Sequence, residues 1–278
     1  MKQRFGVAAA AFAAALLAAG CTSGGAATES ATSAVDAPLR ATATAPMLSP
    51  APEAPTPEWV DVSGQGTVLP RDDQGRQYSA TPVPGAAIFH WPAGDGEAGS
   101  CTLGPAVREI HGTRTGFLTA GHCAKPPFEP QQYLGTGPGP DDVAAQPLGS
   151  LTQVADTDAV DPGMEDAGVI WTPEAEKAST IAGFRVVGAM SEADLKNLPE
   201  GTPICVDGTV SGVACAPLYS ATNVIRYGHS AFGDSGAAAF VVNRDGEATL
   251  VGLHSEAYVA SILARTLERL GLEPITAS

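Results

Sequence analysis

Phe117-Leu118-Thr119-Ala120-Gly121-His122-Cys123 carries an apolar run into small residues and ends on a histidine joined to a cysteine. Thr115 to Thr119 reads as a strand bounded by turn-forming residues. The small side chains that follow leave room around the imidazole, and a half-cystine beside it would pin it at the strand end. The same texture recurs outward along the chain. Short apolar or alternating runs at 86–91, 168–171, 185–189, 223–227, 237–242 and 248–253 are separated by Gly, Pro and Asp clusters, without a βαβ rhythm. With 6% aromatic residues, 32 Gly and 23 Pro among 278 residues, the composition favours turns and short strands over long helices. The fold class predicted is all-β. One segment differs: Val259, Ile262, Leu263, Leu267 and Leu270 recur at helical spacing before Gly271, so a helix is expected to close the chain.

Two further stretches bring chemistry to this frame. Glu165-Asp166-Ala167-Gly168-Val169-Ile170 sets an acid just ahead of a buried-looking strand, where a carboxylate is shielded and held rigid. Gly233-Asp234-Ser235-Gly236 places a serine between glycines, so the backbone can turn sharply and aim two N–H groups at one point. A nucleophile, a base to take its proton and an acid to orient the base are the needs of acyl transfer.

The chain start is read apart from the fold. Lys2 and Arg4 precede an apolar run from Phe5 to Ala19, shorter than the ~20 residues of a membrane-spanning helix and suited to the core of an export signal. Leu17-Ala18-Ala19-Gly20-Cys21 resembles the lipobox of bacterial lipoproteins, with its leucine one position further from the cysteine than usual. Lipidation of Cys21 is expected, and with it a membrane anchor on the outer face of the cell; the alternative is ordinary signal cleavage and secretion. Residues 22–57 are Ala, Thr, Ser, Pro and Gly with few large apolar side chains, a flexible tether by composition. Residues 58–79 are open between linker, propeptide and a strand packed on the domain edge. The expected division is therefore signal peptide 1–20, tether or propeptide 21–79 and one domain 80–278. Fifteen Lys and Arg against 30 Asp and Glu give a formal charge of −15, which excludes a basic nucleic-acid-binding domain. Besides Cys21, the cysteines are Cys101, Cys123, Cys205 and Cys215. They allow three pairings, of which the local ones close modest loops in an oxidising compartment. No Cys-x-x-Cys or His-Glu-x-x-His spacing occurs, so no metal is expected.

Taken in order, Cys101-Thr102-Leu103-Gly104, Leu118 to Cys123, the Asp166 segment, the Cys205 to Cys215 loop and Gly233 to Gly236 resemble the trypsin-like (chymotrypsin-fold) serine proteases, in particular the bacterial streptogrisin and alpha-lytic branch. The resemblance implies two packed six-stranded antiparallel β-barrels with a C-terminal α-helix and a site in the cleft between barrels. It implies His122 as base, Asp166 as its orienting acid and Ser235 as nucleophile. The N–H groups of Gly233 and Ser235 would form the oxyanion hole, and Cys101–Cys123 and Cys205–Cys215 the disulfides. A protein or peptide substrate, no cofactor and a monomer are further expectations. The chain departs from the pattern in three places. Ala237-Ala238 stands where relatives have Gly-Pro, which leaves open a protease fold that binds without turnover. Val206 stands where bacterial relatives carry an Arg that partners the acid at Asp234, and Arg185 and Arg226 are the substitutes considered. Ala231 replaces a common cysteine.

Asn243-Arg244-Asp245-Gly246-Glu247 lies between two apolar runs and reads as a hairpin. With Asp245-Gly246 as a two-residue tip, Arg244 pairs with Glu247, and counting outward sets Ser235 opposite Glu256. Leu253 to Ala257 would then border the nucleophile, making His254 and Ser255 substrate-binding residues. Glutamyl endopeptidases of the family have a histidine at the place of His254, which implies cleavage after Glu. His229 and Ser230 are candidates for the floor of the same pocket. His90 and His111 are expected to be structural or on the surface.

Overall fold

The computed structural model describes residues 58–138, 144–157, 164–229 and 231–278. The signal stretch, Cys21, the tether up to residue 57 and Ser230 lie outside the described residues.

The first lobe is built from β1 (Ala87–His90), β2 (Gly99–Thr102), β3 (Ala106–Glu109), β4 (Thr115–Thr119), β5 (Gln131–Gly137), β6 (Ala144–Asp156) and β7 (Asp166–Trp171). β1 pairs with both β2 and β5, and the ladder continues through β6, β7 and β4 to β3. Only Leu103-Gly104-Pro105 separates β2 from β3, so the two form one bent strand that pairs with β1 at its start and β4 at its end. Counted so, six strands close into a ring. The second lobe holds β8 (Thr180–Ile181), β9 (Phe184–Ala189), β10 (Pro203–Gly208), β11 (Gly212–Ala221), β12 (Ile225–Tyr227), β13 (Ala238–Val242), β14 (Glu247–Glu256) and β15 (Val259–Ile262). Its ring runs β13-β10-β11-β12-β15-β14, and β14 returns to β13. The β8–β9 hairpin is appended, and β9 lies parallel to β14, an exception to the antiparallel expectation.

Strand periodicity explains why apolar runs rather than clean alternation mark these strands. Phe117 and Ile170 fill the first barrel, while their neighbours Leu118 and Val169 join Phe240, Leu250 and Leu253 in a separate core that spans both lobes. In β13, Ala239 and Val241 face the second barrel's interior, and Phe240 and Val242 face the shared core. Each strand at this contact buries both faces, so every position is apolar. Burial of these side chains at about 25 cal/mol per Å² holds the lobes together, and the strand ends that carry the site meet there.

Three expectations need correction. Val259 to Ile262 is strand β15, not helix, because the segment bonds to β12 and β14 in the barrel; helix α2 covers only Leu263–Leu270 and stops at Gly271. The helix does not close the chain: β16 (Leu272–Pro274) follows and pairs with β3 of the first lobe. A second short helix, α1 (Glu192–Lys196), is present, with the Ser191 side chain accepting from the Asp194 N–H at 3.1 Å, an N-cap. Residues 58–79 pack on the domain: the Val60 N–H donates to the Val242 carbonyl at 2.9 Å, and Val62 and Gln77 are buried.

Candidate active site

His122 lies in a 3-10 turn (Gly121–Ala124) that follows β4, and Asp166 opens β7, the strand beside it. That adjacency brings the imidazole Nδ1 to 2.7 Å from Asp166 Oδ2, while the His122 backbone N–H donates to Oδ1 at 2.9 Å. The Ser255 hydroxyl donates to Oδ2 as well. Asp166 is only 2% exposed. Burial works to raise its pKa, but the hydrogen bonds and charge of His122 and the Ser255 bond outweigh it and hold the carboxyl below its usual range. Burial likewise opposes a charge on His122, and the bond to Asp166 with the charges of Asp166, Asp156 and Glu256 leaves its pKa raised. Cys123 is tied to Cys101 on β2, which fixes the turn that carries His122. The second disulfide, Cys205–Cys215, crosses the β10–β11 ladder.

Ser235 sits just ahead of β13. In the run 233–237 the N–H groups of Asp234, Gly236 and Ala237 donate to the carbonyls of Ala231 (3.2 Å), His254 (2.7 Å) and Asp234 (2.9 Å). Those of Gly233 and Ser235 meet no protein acceptor among the described residues. Among the described residues, two N–H donors thus flank Asp234 without a protein acceptor, the arrangement an oxyanion hole requires. Gly233 has φ 102°, a backbone that a side chain would strain. The Ser235 hydroxyl donates to the Ser255 carbonyl at 2.9 Å. His122, Asp166, Ser235, His254, Ser255 and Phe232 line one cleft of about 410 Å³.

The hairpin that leads to His254 and Ser255 is not the two-residue turn predicted. Asn243 faces Glu247, with its N–H donating to the Glu247 carbonyl at 3.0 Å, and Gly246 at φ 75° completes a three-residue loop, the usual three-residue solution with glycine in the left-handed region. Val242 therefore faces Ala248, one residue off the expected register. A bulge after Phe240 and Leu250 restores it, giving Ala238 opposite Leu253. His254 and Ser255 accordingly lie beside Ser235. Arg244 lies within the loop rather than opposite Glu247, and its guanidinium bonds to Glu58.

Asp234 is fully buried, and neither arginine considered reaches it: Arg185 pairs with Glu247 at 2.7 Å, and Arg226 is exposed. Its oxygens accept instead from the N–H groups of Val210 (2.8 Å) and Ser211 (3.3 Å), the Ser211 hydroxyl (2.5 Å) and His229 Nε2 (2.9 Å). Burial raises its pKa, and these bonds reverse the effect and leave it lowered. A second hub is Thr102. Its N–H donates to the Ser235 carbonyl at 2.7 Å, its hydroxyl donates to the Gly233 carbonyl at 3.0 Å, and it accepts from the Thr209 N–H at 3.0 Å. Ala237 is buried without conflict, its carbonyl accepting from the His254 N–H at 2.9 Å.

His254 is 1% exposed, with Nδ1 2.6 Å from the Tyr227 hydroxyl and its ring 5.1 Å from that of His229. Burial, then the neighbouring His229, pushes its pKa down to about 4. Ser255, expected to bind substrate, holds Asp166. His90 is buried against the edge of Phe128, and His111 is exposed. Tyr227, Ser211 and Thr102 were not anticipated.

By its strand connections the fold is chymotrypsin-like. No protein-family model matches the chain, and no curated protein matches it by sequence. Solved structures similar to it include Thermobifida fusca Protease A, at 21% identity over 71% of this chain and 100% of that one with a TM-score of 0.45. An alpha-lytic protease homolog, N4, aligns at 16% identity over 70% and 97% with a TM-score of 0.43. A Glu endopeptidase aligns at 14% identity over 78% and 94% with a TM-score of 0.36.

Proposed function

We propose that the protein is an extracytoplasmic serine endopeptidase that works through a Ser235 acyl-enzyme. The observation that carries this reading is the coincidence, in one cleft, of a His122 imidazole bonded to a buried carboxylate and the Ser235 hydroxyl, with the N–H groups of Gly233 and Ser235 meeting no acceptor among the described residues. Rotation of the Ser235 side chain away from the Ser255 carbonyl turns its hydroxyl toward His122. Nε2 takes the proton as Oγ bonds to the substrate carbonyl carbon, and the carbonyl oxygen becomes negative within reach of the Gly233 and Ser235 N–H groups. The C–N bond then breaks, and His122 returns the proton to the leaving amine. Water, deprotonated by the same nitrogen, attacks the ester and frees Ser235. Asp166 holds the tautomer and stabilises the imidazolium. Each oxyanion donor contributes about 3 kcal/mol of transition-state stabilisation.

The preferred residue before the cut is glutamate in this reading, with the His254 imidazole receiving its carboxylate and His229 behind it. A peptide-library digest with the exported protein tests this: cuts after Glu support it, and cuts after aromatic or small residues refute it. Casein hydrolysis that is lost in Ser235→Ala supports the endopeptidase activity, whereas cleavage of short esters alone speaks against it. The second reading, a protease fold that binds without turnover, rests on the Ser235 hydroxyl being held by Ser255, and an inactive wild-type protein would favour it. Export with lipid on Cys21 is part of the proposal, and the intact mass of the mature protein reports it.

A further inference from the structure

Residues 71–77 form a strap over the second lobe. Arg71 and Gln77 face each other across an antiparallel bridge, and Asp72 closes the turn by accepting from the N–H groups of Gln74 (2.9 Å) and Arg76 (2.8 Å). Asp73 and Gln74, at the tip, are exposed. Gln77, by contrast, is 1% exposed. Its carboxamide nitrogen lies 3.2 Å from the Gly85 carbonyl, 3.2 Å from the Gly208 carbonyl and 3.3 Å from Asp207 Oδ1, so two N–H groups serve three acceptors. Its backbone N–H donates to the Thr209 carbonyl at 2.7 Å, and the Thr209 hydroxyl donates back to the Gln77 carbonyl at 3.2 Å. Arg71 Nη1 donates to the Val210 carbonyl at 2.6 Å.

Apart from the bonds within the strap and the one to Gly85, these bonds grip residues 207–210, where β10 turns toward β11. The other side of that turn holds the nucleophile loop: Val210 and Ser211 donate to Asp234, and Thr209 donates to Thr102, which bonds to Gly233. Strap, β10–β11 turn and nucleophile loop are thus three layers joined by hydrogen bonds, those of Gln77, Thr209 and Thr102 between buried groups and those from Val210 and Ser211 to Asp234 between partly buried ones. Bonds of this kind are costly to leave unmade, and a small displacement of the innermost layer reaches the open donors directly.

We infer that the strap is a built-in brace of the nucleophile loop, with Gln77 as a positioning residue for the oxyanion donors. The inference rests on the protease reading above. On this inference a cut within the strap would not activate the enzyme, because opening it at Asp73-Gln74 disables the loop it supports.

The test uses the exported full chain with two readouts: backbone amide exchange by mass spectrometry and the rate of Ser235 labelling by a fluorophosphonate. In Gln77→Ala, peptides covering 207–211 and 232–237 should exchange roughly tenfold faster while the 115–119 peptide keeps its wild-type rate. Labelling should slow by about tenfold or more, with the probe's apparent affinity unchanged. Gln77→Glu, of the same shape but without the two donors, should behave likewise. Should either fail to fold, Arg71→Ala, at an exposed residue, should give the same pattern at smaller size. A site-specific nick placed at Asp73-Gln74 should lower labelling. Unchanged exchange at 232–237 in a folded variant, uniform loosening of the whole domain, or a rise in labelling after the nick would overturn the inference. If wild type fails to label but the exchange pattern appears, the brace stands and the protease reading falls; normal labelling without the exchange pattern gives the reverse.

Discussion

Ser255 touches both ends of the site: its hydroxyl donates to the Asp166 oxygen that meets His122, and its carbonyl accepts from the Ser235 hydroxyl at 2.9 Å. Ser255→Ala removes only the first contact. A hydrogen bond to a charged group contributes about 1.5–3 kcal/mol, so kcat should fall by roughly tenfold to a hundredfold with KM little changed, because the carboxylate orients the base and not the substrate. Steady-state kinetics on one peptide substrate checks this, and an unchanged kcat would show that Ser255 contributes nothing through Asp166.

The raised pKa of His122 sets the acid limb of the pH profile. The base must be neutral to accept the Ser235 proton, so kcat/KM should climb through a pH above the ordinary histidine value of about 6.5. Asp166→Asn removes the charge that raises it and favours the wrong tautomer, lowering kcat by about 10⁴. The profile of wild type against that variant reports both effects. A wild-type limb well below the ordinary value would contradict the assignment.

Three buried carboxyls give stability opposite dependences on pH. The pKa values of Asp166 and Asp234 are lowered, so their contributions are present above the ordinary carboxyl range and are lost as pH falls through the lowered values. Asp207 is pushed up to about 7, by burial first and then by the charge of Asp234. Its folded form therefore binds more protons than its unfolded form between the ordinary value and about 7, and over that window this group lowers stability as pH rises. The melting temperature of Asp207→Asn should lose that slope and keep the acid-side loss. An identical pH course in wild type and variant would contradict the assignment.

Glutamate recognition through His254 carries its own signature. The imidazole is neutral near pH 7 when the cleft is empty, and an arriving carboxylate favours its protonation. Binding of a Glu peptide should then take up a proton, and KM should fall as pH drops from about 8 to about 6, while a matched Gln peptide stays flat. Parallel pH courses for the two peptides would remove His254 from recognition.

The sequence carried the strands best where both faces are buried. β1, β4, β7 and β13 sit at or beside the cores, and their residues are apolar in unbroken runs. β6 was missed because most of its residues are partly or fully exposed and mark no face. Val259 to Ile262 kept helical spacing and became strand because two barrel neighbours supply its backbone bonds. The three motifs around His122, Asp166 and Ser235 were legible because each is local. The partners of Asp234 were not: no arginine near in sequence reaches it, and Ser211 lies 23 residues away in a turn that carries no chemical signature. Gln77 and Asp207, 130 residues apart, are joined only by the fold.

The most direct measurement is the intact mass of the exported protein after reaction with a fluorophosphonate, with Ser235→Ala and His122→Ala in parallel. The account predicts one adduct per wild-type molecule, mapped to Ser235, none in Ser235→Ala, and labelling slowed by orders of magnitude in His122→Ala. A wild-type protein that stays unmodified, or one labelled equally well without Ser235 or without His122, would contradict it.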